Sequence, residues 1–319
     1  MKAPEFWRRR GPLALALSPL GLVTRALTVR RLRKRGHVAG IAVICAGNAG
    51  VGGSGKTVLA LDLLERLPGR PYALTRGYGG KLKGPVLVDP LHHSAADVGD
   101  EALLLAAAAP TVVARNRAAG ARLALAEGAT CIVMDDGLQN PDPVKKMSFL
   151  VIDGGFGFGN GMLLPAGPLR EPVAAAAMRC RAAVLIGPDT TDALAALPAG
   201  FPVLRARMVP ECTTPFAGRP VIAFAGIGRP EKFFESALAL GANLVGREAF
   251  ADHHAYSDSD ATRLLKQADE RGADLVTTEK DFVKLPDSLR RKVLVITVRL
   301  AWEDESRLEA LLNDELTKS

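Results

Sequence analysis

Apolar residues follow two different patterns along this chain of 319 residues. Short continuous runs rich in β-branched residues, such as 41–46, 131–134 and 149–152, are typical of strands buried on both faces of a parallel sheet. Longer segments rich in Ala and Leu, such as 101–108 and 117–127, lie between such runs and place apolar residues at helical spacing. This alternation predicts an α/β fold with a parallel sheet flanked by helices.

The pattern changes between residues 202 and 220. Apolar and basic residues alternate in 203–209, and Pro and Thr follow, which predicts an exposed strand or ribbon at a boundary. A second series of strand-like and helical runs starts at Val221. Since the length also suggests about two domains, we expect an N-terminal arm (1–36), a first α/β domain (37–204), a ribbon linker (205–218) and a smaller C-terminal α/β domain (219–319).

The cysteines Cys45, Cys131, Cys180 and Cys212 are far apart and form no C-x-x-C pair. This spacing indicates neither a zinc site nor a disulfide framework. The first two fall inside strand-like runs, which suits small buried side chains. A reducing, cytosolic compartment is therefore expected.

The basic charge of the protein is concentrated in its first 36 residues. They contain ten Lys or Arg and one acidic residue, a local net charge of +9. The whole chain has a formal net charge of +7, so the remainder carries −2. This distribution predicts that the arm contacts an anionic partner, and it argues against a protein that is basic all over.

Residues 11–24 of the arm are uncharged and rich in Leu, with arginines on both sides. The segment is shorter than the roughly 20 residues that a membrane-spanning helix needs, and Pro12 and Pro19 interrupt it. Its composition favours peripheral contact with an anionic membrane surface. The alternatives are a helix packed on the protein's own core and a nucleic-acid-binding arm, but the slightly acidic body is unlike a nucleic-acid groove, so no nucleic acid is expected.

Residues 50–57 match the phosphate-binding pattern G-x-x-x-x-G-K-[ST] between a strand-like and a helical run. In such a loop, backbone N–H groups surround phosphate oxygens, the Lys reaches the β- and γ-phosphates, and the Thr hydroxyl binds Mg²⁺. A glycine-rich turn without a ligand is the alternative. The motif predicts a nucleoside triphosphate site formed by Gly50, Gly52, Gly53, Ser54, Gly55, Lys56 and Thr57.

Two acidic residues, Asp135 and Asp136, follow the strand-like run 131–134. An acid at the carboxyl end of a parallel strand points into the crevice where ligands bind, and it can hold Mg²⁺ directly or through water. Solvated acids that merely end a strand are the alternative. Together with the loop at 50–57, the pair predicts a metal site of the Walker B type.

Three further polar clusters are candidates for activating or binding a substrate that accepts a phosphoryl group. Asp100 and Glu101 stand at the start of a predicted helix, where they act as a general base or as a simple helix cap. His253 belongs to a cluster without metal-ligand spacing and is either exposed or faces an acid across a domain cleft. Arg170 and Glu171 lie in a Pro- and Gly-rich segment, which is either a surface loop or an anion clamp.

Read together, these segments resemble the tetraacyldisaccharide 4′-kinase family of the lipid A pathway. The match runs in order along nearly the whole chain. The Pro- and Gly-rich motif with Arg170 and Glu171 is quite specific, whereas the phosphate-binding loop alone would not distinguish this family. The matching segments are 47–48, 51–57, 75–78, 99–101, 135–139, 157–161, 163–172, 224–228, 252–253 and 277–281.

The resemblance implies two α/β/α domains joined by a ribbon hinge. It also implies transfer of the γ-phosphate of ATP to the 4′-hydroxyl of an acylated glucosamine disaccharide 1-phosphate, at the cytoplasmic face of the bacterial inner membrane. By motif match, Asp100 is the base, paired with His253. The other implied roles are phosphate and Mg²⁺ binding by Lys56 and Thr57, metal and acceptor binding by Asp135, Asp136, Gln139 and Glu171, and substrate contacts by Asn48, Tyr78, Arg117 and Arg170.

The chain departs from the family pattern at Asn140, where the family usually has His after Gln. Two other classes of function remain open at this point. One is a P-loop GTPase or ATPase that couples hydrolysis to delivery or assembly, although 278–281 lacks the spacing of a base-reading N/T-K-x-D segment. The other is a nucleic-acid-binding ATPase that uses the arm.

Overall fold

The strands form one twelve-stranded sheet in a computed structural model that describes residues 4–216 and 218–317. The strands are β1 (Ala42–Gly47), β2 (Pro71–Thr75), β3 (Val86–Leu87), β4 (Thr111–Val113), β5 (Cys131–Asp135), β6 (Met147–Asp153), β7 (Ala182–Ile186), β8 (Val203–Cys212), β9 (Pro220–Ala225), β10 (Asn243–Ala249), β11 (Asp274–Thr278) and β12 (Val293–Trp302). Their spatial order is β10-β9-β11-β12-β8-β7-β6-β1-β5-β2-β4-β3.

Helices connect the strands and cover the sheet. The α-helices are α1 (Pro12–Leu17), α2 (Leu20–Leu32), α3 (Lys56–Arg66), α4 (Ala95–Val98), α5 (Asp100–Ala108), α6 (Arg117–Ala126), α7 (Val173–Ala177), α8 (Pro230–Ala239), α9 (Asp258–Arg271), α10 (Glu279–Phe282), α11 (Asp287–Arg290) and α12 (Glu305–Thr317). Short 3₁₀ turns occur at Glu5–Trp7 and Ala193–Ala196.

The sheet has two parallel parts that meet at one antiparallel pair of strands. Neighbouring strands from β8 to β4 are parallel, with β3 antiparallel at the edge, and those from β10 to β12 are also parallel. Between them, β12 runs antiparallel to β8, in register from Ile296 opposite Cys212 to Trp302 opposite Ala206. We call the two parts the first body and the second body. The predicted α/β fold with a parallel sheet is confirmed.

Each body buries both faces of its sheet under helices. In the first body, α3 covers one face with Leu59 and Leu63, and α6 covers the other with Ala121 and Ala124. In the second body, alternate residues of β9 point to opposite faces of the sheet. Val221 packs with α8 on one face, and Ile222 packs with α9 on the other. This alternation follows from the two-residue repeat of a strand, and it produces the α/β/α layers.

The last helix, α12, returns to the first body. Leu308 and Leu312 of α12 join the apolar core that contains α3, and Glu305 pairs with Arg66 at 2.6 Å. The ribbon strand β12 carries the chain back across the boundary. The domain limits drawn from the sequence stay a prediction, and the predicted C-terminal unit 219–319 includes this returning segment.

The N-terminal arm folds as two short helices, α1 and α2, one side of which lies on the segment 160–170. Thr24 donates to the carbonyl of Leu164 at 2.6 Å, and Thr28 donates to that of Arg170 at 3.1 Å. The other side of the arm exposes Leu13, Leu15, Leu20, Leu22, Val23, Leu27 and Val29. Within the described ranges, no helix has the length and apolar character needed to cross a membrane.

Candidate active site

The phosphate-binding loop connects β1 to α3, which begins at Lys56. Gly52 and Gly55 have φ values of +119° and +87°, a region that favours glycine. Lys56 Nζ donates to the carbonyl of Gly52 at 3.2 Å and lies 4.0 Å from Asp136 Oδ1. The loop therefore has the backbone shape and the cation that the sequence motif predicts for phosphate binding.

Thr57, in the first turn of α3, faces Asp135 at the end of β5. The Thr57 hydroxyl donates to Asp135 Oδ2 at 3.0 Å, while Asp135 Oδ1 is buried with no hydrogen-bond partner among the described residues. Burial, with the nearby carboxylate of Glu101, raises the pKa of Asp135 to about 7. A buried carboxylate with an unused oxygen is well suited to a cation.

The Asp136 carboxylate is held by Arg170. One guanidinium nitrogen of Arg170 donates to Asp136 Oδ1 at 3.1 Å and to Gln139 Oε1 at 3.1 Å. Burial works against ionisation of Asp136, but Lys56 and Arg170 keep its pKa below the usual value. Asp136 also has φ of +53°, which Asp tolerates better than most residues. The predicted metal residue Asp136 and the predicted substrate residue Arg170 thus form an ion pair with each other.

Gln139 and Glu171 form a second hydrogen-bonded group beside the loop. Gln139 Nε2 donates to Glu171 Oε1 at 2.9 Å and to the carbonyl of Asn48 at 2.7 Å. Arg179 donates to the same Glu171 oxygen at 2.6 Å, and Asn48 donates to Ser54 Oγ at 3.0 Å. Both predicted metal residues of this group therefore already have protein partners. Among the residues that the structure describes, no three His, Cys, Asp or Glu side chains are grouped as a metal site.

Asp100 and His253 meet at the boundary between the two bodies. Asp100 is the first residue of α5 and is buried, and its Oδ1 accepts the backbone N–H of Glu101 at 3.0 Å. Its other oxygen, Oδ2, lies 2.8 Å from His253 Nδ1. Lys280 Nζ is 3.6 Å from this Oδ2 and 3.7 Å from Glu101 Oε1. The acid is thus more than a helix cap, because it faces an imidazole and an ammonium group from the second body.

A cleft of about 690 Å³ opens beside this acid and is lined by Asp100, His253 and Tyr78. The Tyr78 ring is exposed, and its centre lies 6.3 Å from that of the His253 ring. The neighbouring His254 also lines the cleft but pairs with Asp260, at 3.2 Å, and not with Asp100. The cleft offers space for an acceptor next to a carboxylate.

Arg117 lies apart from the direct contacts of these clusters. It is buried, donates to the carbonyl of Ala114, and has an Nε without a hydrogen-bond partner in the described ranges. Burial, together with nearby Arg76, lowers the pKa of Arg117 to about 10, so the guanidinium stays charged at neutral pH. An unused buried donor of this kind suits an anion.

The chain is similar to known proteins over almost its whole length. A family model described as Tetraacyldisaccharide-1-P 4'-kinase matches residues 13–317. The chain belongs to the tetraacyldisaccharide-1-P 4'-kinase family. The resemblance deduced from the motifs is confirmed.

Relatives of this kinase family are similar over their full length. The chain is 53% identical to "Tetraacyldisaccharide 4'-kinase" of Gluconacetobacter diazotrophicus, over 100% of this chain and 99% of the relative. It is 52% identical to the protein of that name from Methylorubrum extorquens, with 98% of each covered. A crystal structure described as an "apo" form of LpxK from Aquifex aeolicus in complex with ATP matches with a TM-score of 0.77 and 28% identity, covering 95% of this chain and 99% of the other.

Three residues to which the motif match gave no role have defined contacts in the structure. Asn140, at the departure from the family pattern, accepts the ammonium of Lys145 on its carbonyl and the N–H of Asp142 on its side chain, so it stabilises a local turn. Sequence reasoning assigned no role to Arg179 or Lys280. Lys280 lies inside a matched motif, which was a usable signal, but nothing in the sequence connected Arg179 with Glu171.

Proposed function

We propose that this chain transfers the γ-phosphoryl group of ATP to the 4′-hydroxyl of tetraacyldisaccharide 1-phosphate. The observation that carries the proposal is the contact of 2.8 Å between Asp100 and His253 at the cleft, in a chain whose loop at 50–57 also has the backbone shape of a phosphate-binding loop. A hydrolytic switch needs no cleft that holds an acid and an imidazole for a second substrate. A kinase needs both a phosphate site and a base for the acceptor.

ATP is bound through the loop at 50–57. Its backbone N–H groups and the amino end of α3 receive the phosphates, and Lys56 neutralises charge on the β- and γ-phosphates. Similarity to a crystal structure described as a complex with ATP supports this choice of nucleotide. Asn48 stabilises the loop through its hydrogen bond to Ser54.

Mg²⁺ fits beside Thr57 and Asp135. Mg²⁺ is commonly held by one or two protein oxygens together with phosphate oxygens and water, and Asp135 Oδ1 is a buried oxygen without a hydrogen-bond partner in the described chain. When bound, the ion would neutralise charge on the transferred phosphate. Asp136, Gln139 and Glu171 stay predicted ligands. Their oxygens now accept hydrogen bonds from protein groups and would have to bind the ion as well.

Asp100 acts as the general base. Its Oδ2 takes the proton of the 4′-hydroxyl while the hydroxyl oxygen bonds to the γ-phosphorus. The bond from that phosphorus to the bridging oxygen breaks, and ADP leaves with the electron pair. His253 orients the Asp100 carboxylate, and Arg170, held between Asp136 and Gln139, is placed to offset negative charge near the loop.

The acceptor is an acylated disaccharide that carries its own phosphate. Arg117 and Arg170 supply guanidinium groups for anionic parts of the substrates, which a planar fork binds well. Tyr78 offers an exposed ring at the rim of the cleft, beside His253. These assignments explain why the site has more cations than ATP alone would need.

The arm holds the enzyme at an anionic membrane surface, peripherally and at the cytoplasmic face of the inner membrane. Its exposed Leu and Val side chains lie among exposed arginines, including Arg25, Arg30 and Arg31. Apolar side chains that enter the headgroup region and cations that meet anionic lipid act together in peripheral binding. No nucleic acid is part of this function.

Acceptor-dependent ADP formation tests the proposal. The enzyme is given ATP and Mg²⁺ in detergent, with and without tetraacyldisaccharide 1-phosphate, and GTP replaces ATP in a parallel series. A kinase forms ADP only with the lipid, and one phosphorylated lipid appears for each ADP. Equal hydrolysis with and without the lipid would instead support an NTPase that couples hydrolysis to delivery or assembly.

A further inference from the structure

Two residues of the second body converge on one carboxylate oxygen of the first. His253 Nδ1 lies 2.8 Å from Asp100 Oδ2, and Lys280 Nζ lies 3.6 Å from the same atom. The Lys280 ammonium also reaches Glu101 Oε1 at 3.7 Å. Asp100 and Glu101 open α5 in the first body, whereas Lys280 is the second residue of α10 in the second. A single ammonium group therefore joins both acids across the boundary.

Lys280 is carried by a firmly held turn. Thr278 caps α10 by accepting the N–H of Asp281 at 3.1 Å, and it donates its hydroxyl to Asp281 Oδ2 at 2.8 Å. Asp281 is fully buried and also accepts the N–H of Gly226 at 3.0 Å and pairs with Lys284 at 2.8 Å. Because its helix is fixed at these points, the Lys280 side chain reaches Asp100 from a defined position.

The charges around Lys280 favour its cationic form. Burial lowers its pKa, but the carboxylates of Asp100, Glu101 and Asp252 outweigh burial and raise the pKa above the usual value. The side chain is 25% exposed, so water screens these charges only in part. Within the described ranges, this cluster thus joins Asp100 and Lys280 to Glu101 and His253, with Asp252 beside His253 and Lys280.

We propose that Lys280 is a positioning residue for phosphoryl transfer, which holds the Asp100 carboxylate ionised and oriented toward the acceptor cleft. The inference rests on the proposed role of Asp100 as the base. Lys280 exchanges no proton in the step. It supplies a fixed positive charge to Asp100 from the second body. The surroundings of the base are therefore complete only when the two bodies are in contact.

The test compares Lys280→Met with Lys280→Arg in the lipid phosphorylation assay. Loss of the ammonium should lower kcat by at least about tenfold, but by no more than the 10²–10⁴-fold that a general base typically contributes, with the KM for ATP little changed. The acidic limb of the kcat profile should move to higher pH, because removing a neighbouring cation disfavours an ionised carboxylate. Lys280→Arg, which restores the charge, should recover most of the rate and the wild-type pH profile.

Arg229→Met is the matched control. Arg229 pairs with Asp153 at 2.8 Å and also joins the second body to the first, but through different residues. Its loss should leave the acidic limb in place. If Arg229→Met shifts that limb as Lys280→Met does, Lys280 acts only by joining the bodies and the inference is overturned. A pH-independent fall in kcat with a lower melting temperature in Lys280→Met would overturn it as well.

Two further variants distinguish a failure of the proposal about Lys280 from a failure of the assignment of Asp100 as the base. Lys280→Gln keeps much of the side-chain length without the charge, and it replaces Lys280→Met if the latter does not fold. Asp100→Asn is assayed in parallel. If Asp100→Asn turns over normally, the base assignment fails and the role of Lys280 fails with it. If Asp100→Asn is inactive while both uncharged Lys280 variants are normal, only the inference about Lys280 fails.

Discussion

His253 Nδ1 lies 2.8 Å from Asp100 Oδ2, although 153 residues separate the two along the chain. His253 adopts φ of +61°, an uncommon value for a residue other than glycine. Since such backbone conformations persist only where the surroundings fix them, the loop is held in the shape that delivers the imidazole to the acid. The pair therefore joins the two bodies at the proposed point of proton transfer.

His253→Asn should reduce kcat by about tenfold or more, but by less than the full 10²–10⁴-fold contribution of a base. The acid would remain while its imidazole partner is lost. Steady-state kinetics with both substrates saturating measures the effect. The matched control is His254→Asn, since His254 pairs with Asp260 and stacks on Phe250. The control should lower stability and leave kcat near wild type, and equal losses of kcat in both variants would contradict a specific role for His253.

Thr57→Val should raise the Mg²⁺ concentration needed for half-maximal activity by about tenfold or more, on the scale seen when groups that support a metal site are lost. The hydroxyl that now donates to Asp135 would be absent. Initial rates across a Mg²⁺ titration at fixed ATP measure the shift. An unchanged Mg²⁺ requirement would remove Thr57 from the proposed metal site.

Asp135 should make the nucleotide-free protein less stable as the pH rises. Its pKa of about 7 in the folded protein exceeds the value of about 3.9 expected when unfolded. Its contribution to the free energy of unfolding is therefore fully present below the pKa of the unfolded state. It is lost as the pH rises through the pKa of the folded state, by at most about 1.4 kcal/mol per pH unit. Asp135→Asn cannot ionise and should lose less stability between about pH 4 and pH 7. Urea unfolding at several pH values decides this, and identical pH dependence in both proteins would contradict it.

Leu22→Ser combined with Leu27→Ser should weaken binding to vesicles that contain anionic lipid by about tenfold or more, because a buried Leu side chain contributes about 1.5–3 kcal/mol. The two side chains are 66% and 58% exposed, so the fold should keep its stability. Cosedimentation with vesicles measures the effect. The matched control is Met178→Ser, also exposed but outside the arm. Undiminished binding of the double variant would show that the arm does not enter the bilayer surface.

Local pattern was enough to predict most elements of the fold. The runs 101–108 and 117–127 became α5 and α6 within a residue of their predicted limits, since their periodicity reflects the face that each helix buries. The strand-like run 131–134 became part of β5, buried on both faces. The loop at 50–57 likewise connects β1 to α3 as its motif predicts, because the glycines, the Lys and the Thr of the motif stand at fixed spacing.

Contacts between distant segments could not be predicted in this way. The apolar side of α12 was compatible with either body, and only the antiparallel pairing of β12 with β8 returns it to the first. The partnership of Lys280 with Asp100 joins elements 180 residues apart, and that of Arg179 with Glu171 depends on the course of an irregular loop. Such pairs depend on three-dimensional packing, which periodicity does not record.

Transfer of radiolabel from γ-³²P-labelled ATP to tetraacyldisaccharide 1-phosphate, with wild type beside Asp100→Asn, tests the central claim most directly. The wild type should give a labelled lipid. Asp100→Asn should lower transfer by about 10²–10⁴-fold, while its affinity for ATP, measured by calorimetry, stays near that of the wild type. ATP hydrolysis without labelled lipid would contradict the kinase, and undiminished transfer by Asp100→Asn would contradict Asp100 as its base.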